Sequence, residues 1–306
     1  MRVAGIDRIG GPVEIIDVPD PRPLNEGEVL IRVRAAGVGN WDDIVRTGDW
    51  AVGRDAPMAL GVEAAGVVMA LGPGVDGWAE GDEVLTHPLP LADQGAWAPW
   101  LIAPAALLAP KPPDVDWACA GAFPVPALTA VQVLDALRLR PGERLLVNGG
   151  GSVTGGLIVA LAAISGADVA ATAGPSSAER VRRAGASAVF DYHDADWLEQ
   201  LRVTTGGRGV DAAANTARGG APAAMAAVRD GGRLATITSD PPPPARGIAV
   251  NSVYVRPDAA QLAAAGAALA DGQLPFVVGA EFALGDARSA LARAAAGSGG
   301  AVVLRL

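Results

Sequence analysis

The stretch from Leu145 to Gly156 reads LLVNGGGSVTGG. Arg144 to Asn148 is apolar enough for a buried strand, a glycine-rich turn follows, and a helix runs on from about Gly155 to Ile164. Small residues in such a turn let the main chain approach a diphosphate, and the amides at the start of the next helix face its charge. Glycine spacing alone is a weak signal that also fits an ordinary turn. It becomes strong where a strand precedes it and a helix follows. Placing Gly150 and Gly155 on the first and third glycines of the dinucleotide pattern puts Ser152 on the second, where its hydroxyl is a candidate phosphate donor.

Downstream the rhythm repeats. Strands are expected at Asp168 to Thr172, Ala186 to Phe190, Val210 to Ala214 and Arg233 to Ile237. Helices are expected at Ser177 to Ala184, Asp194 to Leu201 and Pro222 to Val228. This alternation specifies an α/β, doubly wound parallel sheet with helices on both faces. Beyond the stiff Pro241 to Pro244 connector, Asp258 and Asp286 can each start a helix, and Ala301 to Leu306 reads as a strand. Upstream, the first third is β-rich. From Glu28 to Ala36, Val29, Ile31 and Val33 alternate with Arg32 and Arg34, and Ala64 to Leu71 is a continuous apolar strand.

The 306 residues include 50% hydrophobic and 19% charged residues, enough for two domains each with its own core. A net charge of −9 disfavours nucleic acid or anionic membrane as the partner. The single cysteine, Cys119, excludes an internal disulfide and a multi-thiolate metal site, and suits a reducing cytoplasm. The N-terminus has no apolar signal core, and the apolar run Gly155 to Ala167 is too short to span a bilayer.

Cofactor preference is set about 20 residues after the turn, where a carboxylate would hold an unphosphorylated ribose. Here the strand ending at Thr172 runs into Gly174, Ser176, Ser177 and Arg180, with no carboxylate at its end. Hydroxyl and guanidinium donors suit the 2′-phosphate of NADPH; Ser176 or Ser177 can also simply cap the helix. Gly150, Gly151, Ser152, Val153, Thr154, Thr172, Gly174, Ser176, Ser177 and Arg180 are the cofactor-binding candidates here. Tyr192 is placed on the adenosine side. Asn215, with Thr216, lies at the carboxyl edge of the next strand, where it either touches the cofactor or closes a turn.

Several segments occur in the order found in one superfamily. They are Ala36 to Trp50, Gly61 to Val68, Gly81 to Val84, Phe123 to Ala130, Leu139 to Gly151, Asp230 to Ile237 and Val255 to Leu262. The chain resembles the medium-chain dehydrogenase/reductase superfamily over nearly its whole length, in particular the quinone oxidoreductases. The resemblance implies a GroES-like catalytic domain over 1–118, a Rossmann NADP-binding domain over 119–250 and a return segment over 251–306, with the active site between the domains. It also implies a homodimer. Where the zinc-dependent relatives place a cysteine and a histidine ligand, this chain has Gly39 and Val62, so no metal site is expected. His87 is expected near a turn, His193 on the surface, and Cys119 in the core.

Without an electrophilic metal the favoured acceptors carry their own developing charge, as quinones and α,β-unsaturated carbonyls do. By motif position Asn40, Asp42, Trp50 and Tyr254 are the catalytic candidates. Asn40, Thr129 and Tyr254 are also expected beside the nicotinamide, with Trp41 alongside. Asp42 has a competing part, pairing with Arg46 or capping a turn. Many quinone and enoyl-thioester reductases carry a tyrosine where this chain has Ile44, which leaves the proton donor to solvent, Tyr254 or Asn40. Three functions follow: a zinc-free NADPH-dependent quinone or enone reductase, a tailoring enoyl reductase of polyketide-type metabolism, or an NADPH-binding protein without turnover.

Overall fold

The computed structural model describes residues 1–297 and 299–306. The chain forms two units, one of Met1–Leu128, Arg256–Asp271 and Phe276–Leu306, the other of Thr129–Val255 and Gly272–Pro275. The division at 128/129 follows the expected 118/119 by a short stretch because the helix carrying Cys119 packs on strands of the first unit.

In the first unit the strands are β1 (Arg2–Ile6), β2 (Glu14–Asp17), β3 (Glu28–Val38), β4 (Met58–Ala59), β5 (Ala64–Leu71), β6 (Glu83–Thr86), β7 (Trp100–Pro104) and β8 (Leu108–Pro110). Its helices are α1 (Asn40–Thr47) and α2 (Trp117–Gly121), and α3 (Pro124–Leu137) begins there. The alternation read in β3 is real: Val29, Ile31 and Val33 are buried while Arg32 and Arg34 face water. β5 pairs antiparallel with both β3 and β6, so its first half is buried on both faces and tolerates only apolar residues.

The second unit holds β9 (Arg144–Asn148), α4 (Val153–Ile164), β10 (Asp168–Thr172), α5 (Pro175–Arg183), β11 (Ala188–Phe190), α6 (Trp197–Thr204), β12 (Val210–Asn215), α7 (Ala221–Ala227), β13 (Val228–Thr236) and β14 (Ala249–Ser252). Its six strands lie in the order β11-β10-β9-β12-β13-β14, and every pair is parallel. Numbered within the sheet this is the 3-2-1-4-5-6 order of a dinucleotide-binding fold, with its switch point between β9 and β12. Leu145, Leu146 and Val147 are completely buried. Each such side chain contributes roughly 1.5–3 kcal/mol over an exposed position.

β13 is the main departure from the expected elements. It starts at Val228, not Arg233, and carries Asp230-Gly231-Gly232 through the strand with a shift of register against β12. Gly231 has φ +67°, so the turn-like sequence is absorbed as a bulge.

The chain then adds α8 (Ala259–Ala270), β15 (Val278–Ala283), α9 (Ala287–Ala296) and β16 (Ala301–Arg305) to the first unit. The Asp258 side chain caps α8 by accepting the Gln261 N–H at 2.9 Å. β16 pairs antiparallel with β3 and completes the sheet β15-β16-β3-β5-β6-β8, with β7 also on β3. Trp97 and Phe123 are fully buried in this unit, and Phe123 meets Phe276 edge to face at 5.3 Å. No described helix is long and apolar enough to cross a membrane.

Candidate active site

The glycine turn closes tightly on itself. Gly149 sits at φ +93°, a conformation open to glycine, and its N–H donates to Thr172 Oγ1 at 2.9 Å. Ser152 is the N-cap of α4, its Oγ accepting the Gly155 N–H at 3.0 Å. That Oγ also lies 3.1 Å from Thr216 Oγ1, and Thr216 donates to the Gly149 carbonyl at 3.0 Å. The Ser152 hydroxyl, expected to donate to a phosphate, thus also closes the turn by capping α4 and meeting Thr216.

What remains for a ligand is bare main chain. A Cβ on Gly155 would lie 2.2 Å from the Gly149 carbonyl oxygen, and one on Gly151 would lie 2.4 Å from Ser177 Oγ. The amides of Val153 and Thr154 fall in the first turn of α4, where N–H groups lack intrahelical acceptors. Close main-chain approach and helix-start donors are what a dinucleotide diphosphate requires, so the residues fit such a cofactor.

At the end of β10 the cap of α5 is Gly174, with Pro175 at the first helical position, so neither Ser176 nor Ser177 caps through its side chain. Ser176 is exposed, whereas the Ser177 hydroxyl donates to the Gly174 carbonyl at 3.2 Å. Arg180 turns back over the cradle, its Nη2 donating to the Gly151 carbonyl at 2.8 Å. A Cβ on Gly174 would lie 3.4 Å from the Tyr192 hydroxyl and 3.5 Å from His193 Cε1. Tyr192 and His193 stack with ring centroids 4.1 Å apart, and His193 Nδ1 pairs with Asp191 at 2.6 Å. Donors from α5 and aromatic rings from the end of β11 thus share one end of the sheet; His193 lies on the surface there, as expected, with its side chain 62% exposed.

Thr172 and Asn215 lie beneath the turn, not on its surface. Both are buried. Thr172 Oγ1 donates to Asn148 Oδ1 at 2.8 Å, and Asn148 Nδ2 donates to Asn215 Oδ1 at 2.9 Å. Asn215 Nδ2 reaches Thr236 Oγ1 at 3.1 Å and Thr238 Oγ1 at 3.0 Å. This ladder spans the carboxyl ends of β10, β9, β12 and β13, and crosses the switch point. Asn148 was missed from sequence; its only signal there was an amide at the end of an otherwise apolar strand.

In the first unit Asn40 opens α1 and is exposed, and Trp50 is half-buried with its ring 6.4 Å from that of His87. Asp42 is completely buried, and its Oδ2 accepts the Gly39 N–H at 2.8 Å. Arg46 pairs with Asp43 at 2.7 Å, so of the two structural parts open to Asp42 the structure shows the cap. Burial pushes the Asp42 carboxyl up to about 8. His87 follows β6 and is completely buried, more deeply than a position near a turn suggests. Its Nδ1 lies 2.6 Å from the Val62 carbonyl, and burial lowers the imidazole to about 4. Cys119 is half-buried, its thiol raised to about 11 by burial and then by Asp116, which suits an inert side chain. In the second unit Thr129 is buried on α3, and Tyr254, beyond the end of β14, is 66% exposed.

Zinc is the metal that a fold of this type suggests. Gly39 and Val62 offer no ligand atoms, and among the described residues no three His, Cys, Asp or Glu side chains are placed to hold an ion. The donor set does not fit a tetrahedral zinc centre.

Residues 25–113 match the alcohol dehydrogenase GroES-like domain family, and residues 184–303 the zinc-binding dehydrogenase family. Erythronolide synthase EryA2 of Saccharopolyspora erythraea is 38% identical over 201 residues, 65% of this chain but 5% of that protein. The crystal structure of an NAD-dependent alcohol dehydrogenase superposes with TM-score 0.90 at 30% identity, covering 100% of both chains. Two mycobacterial structures also match over 100% of both chains. One is a quinone oxidoreductase (TM-score 0.81, 29% identity) and the other a protein complexed with NADPH (TM-score 0.87, 28% identity). With a six-stranded nucleotide sheet in 3-2-1-4-5-6 order, a GroES-like unit completed by the returning chain, and full-length likeness at this level, the chain belongs to the medium-chain dehydrogenase/reductase superfamily and is quinone oxidoreductase-like.

Proposed function

We propose that the chain is a zinc-free, NADPH-dependent reductase that delivers hydride to a quinone or an α,β-unsaturated carbonyl. The observation that carries this reading is the end of β10. After Gly174, Ser176, Ser177 and Arg180 present hydroxyl and guanidinium groups where an NAD-selective site would present a carboxylate. The mycobacterial relative complexed with NADPH supports it, and the NAD-dependent relative makes cofactor choice the point to test.

When bound, the dinucleotide supplies the hydride. Gly150, Gly151 and the first-turn amides of Val153 and Thr154 hold the diphosphate, while Ser176, Ser177, Arg180 and Tyr192 hold the 2′-phosphate end. Thr172 and Asn215 act from beneath by fixing the turn. Asn40 is the exposed amide available to polarise a substrate oxygen, and Trp50 offers a flat face to an aromatic acceptor. Tyr254, 66% exposed, is the proton donor in this reading, since Ile44 can supply none. With no metal ligands at 39 and 62, the acceptor's own conjugation must carry the charge. In this reading the enzyme is cytoplasmic and homodimeric, pairing through an open edge of the parallel sheet.

The similarity to polyketide synthases favours one variant of this chemistry, an enoyl thioester as the acceptor. NADPH oxidation measured against quinones, enones and enoyl thioesters, and repeated with NADH, separates the readings. Turnover of a quinone or enone with NADPH preferred is expected. Turnover of thioesters alone would favour the tailoring reductase, and tight NADPH binding without turnover on any acceptor would leave a binding protein.

A further inference from the structure

Among the described residues, four buried side-chain atoms have no hydrogen-bond partner: Trp41 Nε1, Asp42 Oδ1, Glu63 Oε1 and His87 Nε2. All four belong to one region of the first unit. Asp42 lies on α1, and its Oδ2 accepts the Gly39 main-chain N–H. Glu63, two residues on from Gly61, fills the space beside Gly37, where an added Cβ would lie 2.1 Å from its Oε1. His87 holds the carbonyl of Val62, the neighbour of Glu63. The Trp41 ring covers Gly39, within 2.3 Å of where a Cβ would stand. Three segments would have left four polar atoms unsatisfied, at about 1–3 kcal/mol apiece, had nothing else been bound there.

Hydrogen-bond accounting says what the bound species must be. A carbonyl only accepts, so His87 carries its proton on Nδ1 and offers a lone pair at Nε2. Trp41 Nε1–H is a donor. The second oxygens, Asp42 Oδ2 and Glu63 Oε2, already accept main-chain N–H groups, from Gly39 and Val125. Any carboxyl proton therefore belongs on the orphaned oxygens. No lysine or arginine acts on either carboxyl, and the ionisable group acting on Glu63 is Asp42 itself. Two anions side by side in a fully buried place without a cation are strongly disfavoured.

We infer that Trp41, Asp42, Glu63 and His87 line an internal water site in which both carboxyls are neutral acids and serve as hydrogen-bond donors. Water suits the mixture because it both accepts and donates, whereas a cation would be repelled by the indole N–H. Through Asp42 and through the Glu63 contact to Val125, the site ties α1 to the first turn of α3. Burial raises both carboxyls, Asp42 to about 8, which agrees with the proton placement. The groups facing this site are Asp42 and Trp41 from α1, Glu63 and the Val62 carbonyl before β5, His87 after β6, and the Val125 N–H from α3; β3 contributes Gly37, whose carbonyl accepts the Trp97 indole N–H at 2.9 Å.

Infrared spectra of the full chain at pH 7, in H2O and D2O, test the proton placement without reference to activity. The expected result is a protonated-carboxyl C=O band in the wild type that shifts in D2O, and that loses about half its intensity in Glu63→Gln. Glu63→Gln keeps the shape and a donor, so its melting temperature should stay close to that of the wild type at pH 6 and exceed it at pH 9, whereas Glu63→Ala should melt lower at both. Absence of the band in folded wild type would overturn the inference. So would retention of one equivalent of zinc after dialysis that is lost in Glu63→Gln.

Discussion

At the carboxyl ends of β10, β9, β12 and β13, the side chains of Thr172, Asn148, Asn215 and Thr236 satisfy one another, whereas in the first unit four buried polar atoms find no partner among the described residues. The first set consists of neutral amides and hydroxyls, each able to donate and accept, so a short chain of them can close without solvent. The second set contains two acids and a one-sided imidazole, which cannot close alone. The difference separates a scaffold from a responsive site: a closed neutral ladder is indifferent to pH, and a cluster of buried acids is not.

The glycine turn above the ladder has the least room for change. In Gly155→Ala the new Cβ meets the Gly149 carbonyl at 2.2 Å, which must shift the cradle. Dinucleotide affinity should fall about 100-fold or more, read by fluorescence titration. An affinity within threefold of wild type would place the diphosphate elsewhere. Below the turn, Asn215→Leu removes the bridge between Asn148 and Thr236, and should cost about 3 kcal/mol in denaturant unfolding. A loss below about 1 kcal/mol would mean that the ladder closes in another way.

The acid cluster makes the contrast measurable by pH. A carboxyl raised from its ordinary value to about 8 binds more protons folded than unfolded, so its contribution to stability is full at low pH and is lost as pH climbs toward 8. His87, lowered to about 4, has the opposite sign: its contribution is full above about 6.5 and is lost as pH falls toward 4. Between about pH 4 and 6.5 His87 offsets one of the two raised acids, and above 6.5 it offsets neither. Stability should therefore fall between pH 6.5 and 8 by up to about 1.4 kcal/mol per pH unit for each titrating acid. Thermal melts across this range provide the check, and a rise toward pH 8 would mean that the acids are already ionised.

Smaller effects refine the nucleotide side. Arg180→Ala should weaken NADPH about tenfold, the value of one charge-assisted hydrogen bond. NADH should weaken less, through the lost brace to the Gly151 carbonyl alone. Equal losses would assign Arg180 to the turn and not to the phosphate. Ser152→Gly restores the usual second glycine and gives up a cap, at a cost of a few tenths of a kcal/mol in chemical denaturation. NADPH affinity should be nearly unchanged, since the Ser152 hydroxyl is already engaged by Gly155 and Thr216.

Much of the fold can be read directly from the chain because local period and burial agree. β3 alternates, β5 is apolar throughout and β9 is apolar between Arg144 and Asn148, and Asp258 caps α8 as its spacing requires. The start of β13 could not be read this way, since Asp230-Gly231-Gly232 has turn chemistry that neighbouring strands override. The glycine turn between β9 and α4, and the lack of a carboxylate at the end of β10, were legible from spacing. The sequence did not reveal that Thr172 and Asn215 lie under the turn, or that Asp42 and His87 are fully buried.

By itself, the order of residues determined a glycine turn between a strand and a helix, the lack of ligand atoms at 39 and 62, and the alternation that makes a parallel sheet. These follow from neighbours along the chain. Only the tertiary structure decided which polar groups are paired and which are left open, because Asn148 meets Asn215, and Glu63 meets Val125, across more than 60 residues. The cost of burying a polar group depends on the partner that folding brings to it, and that partner is not written in its own segment.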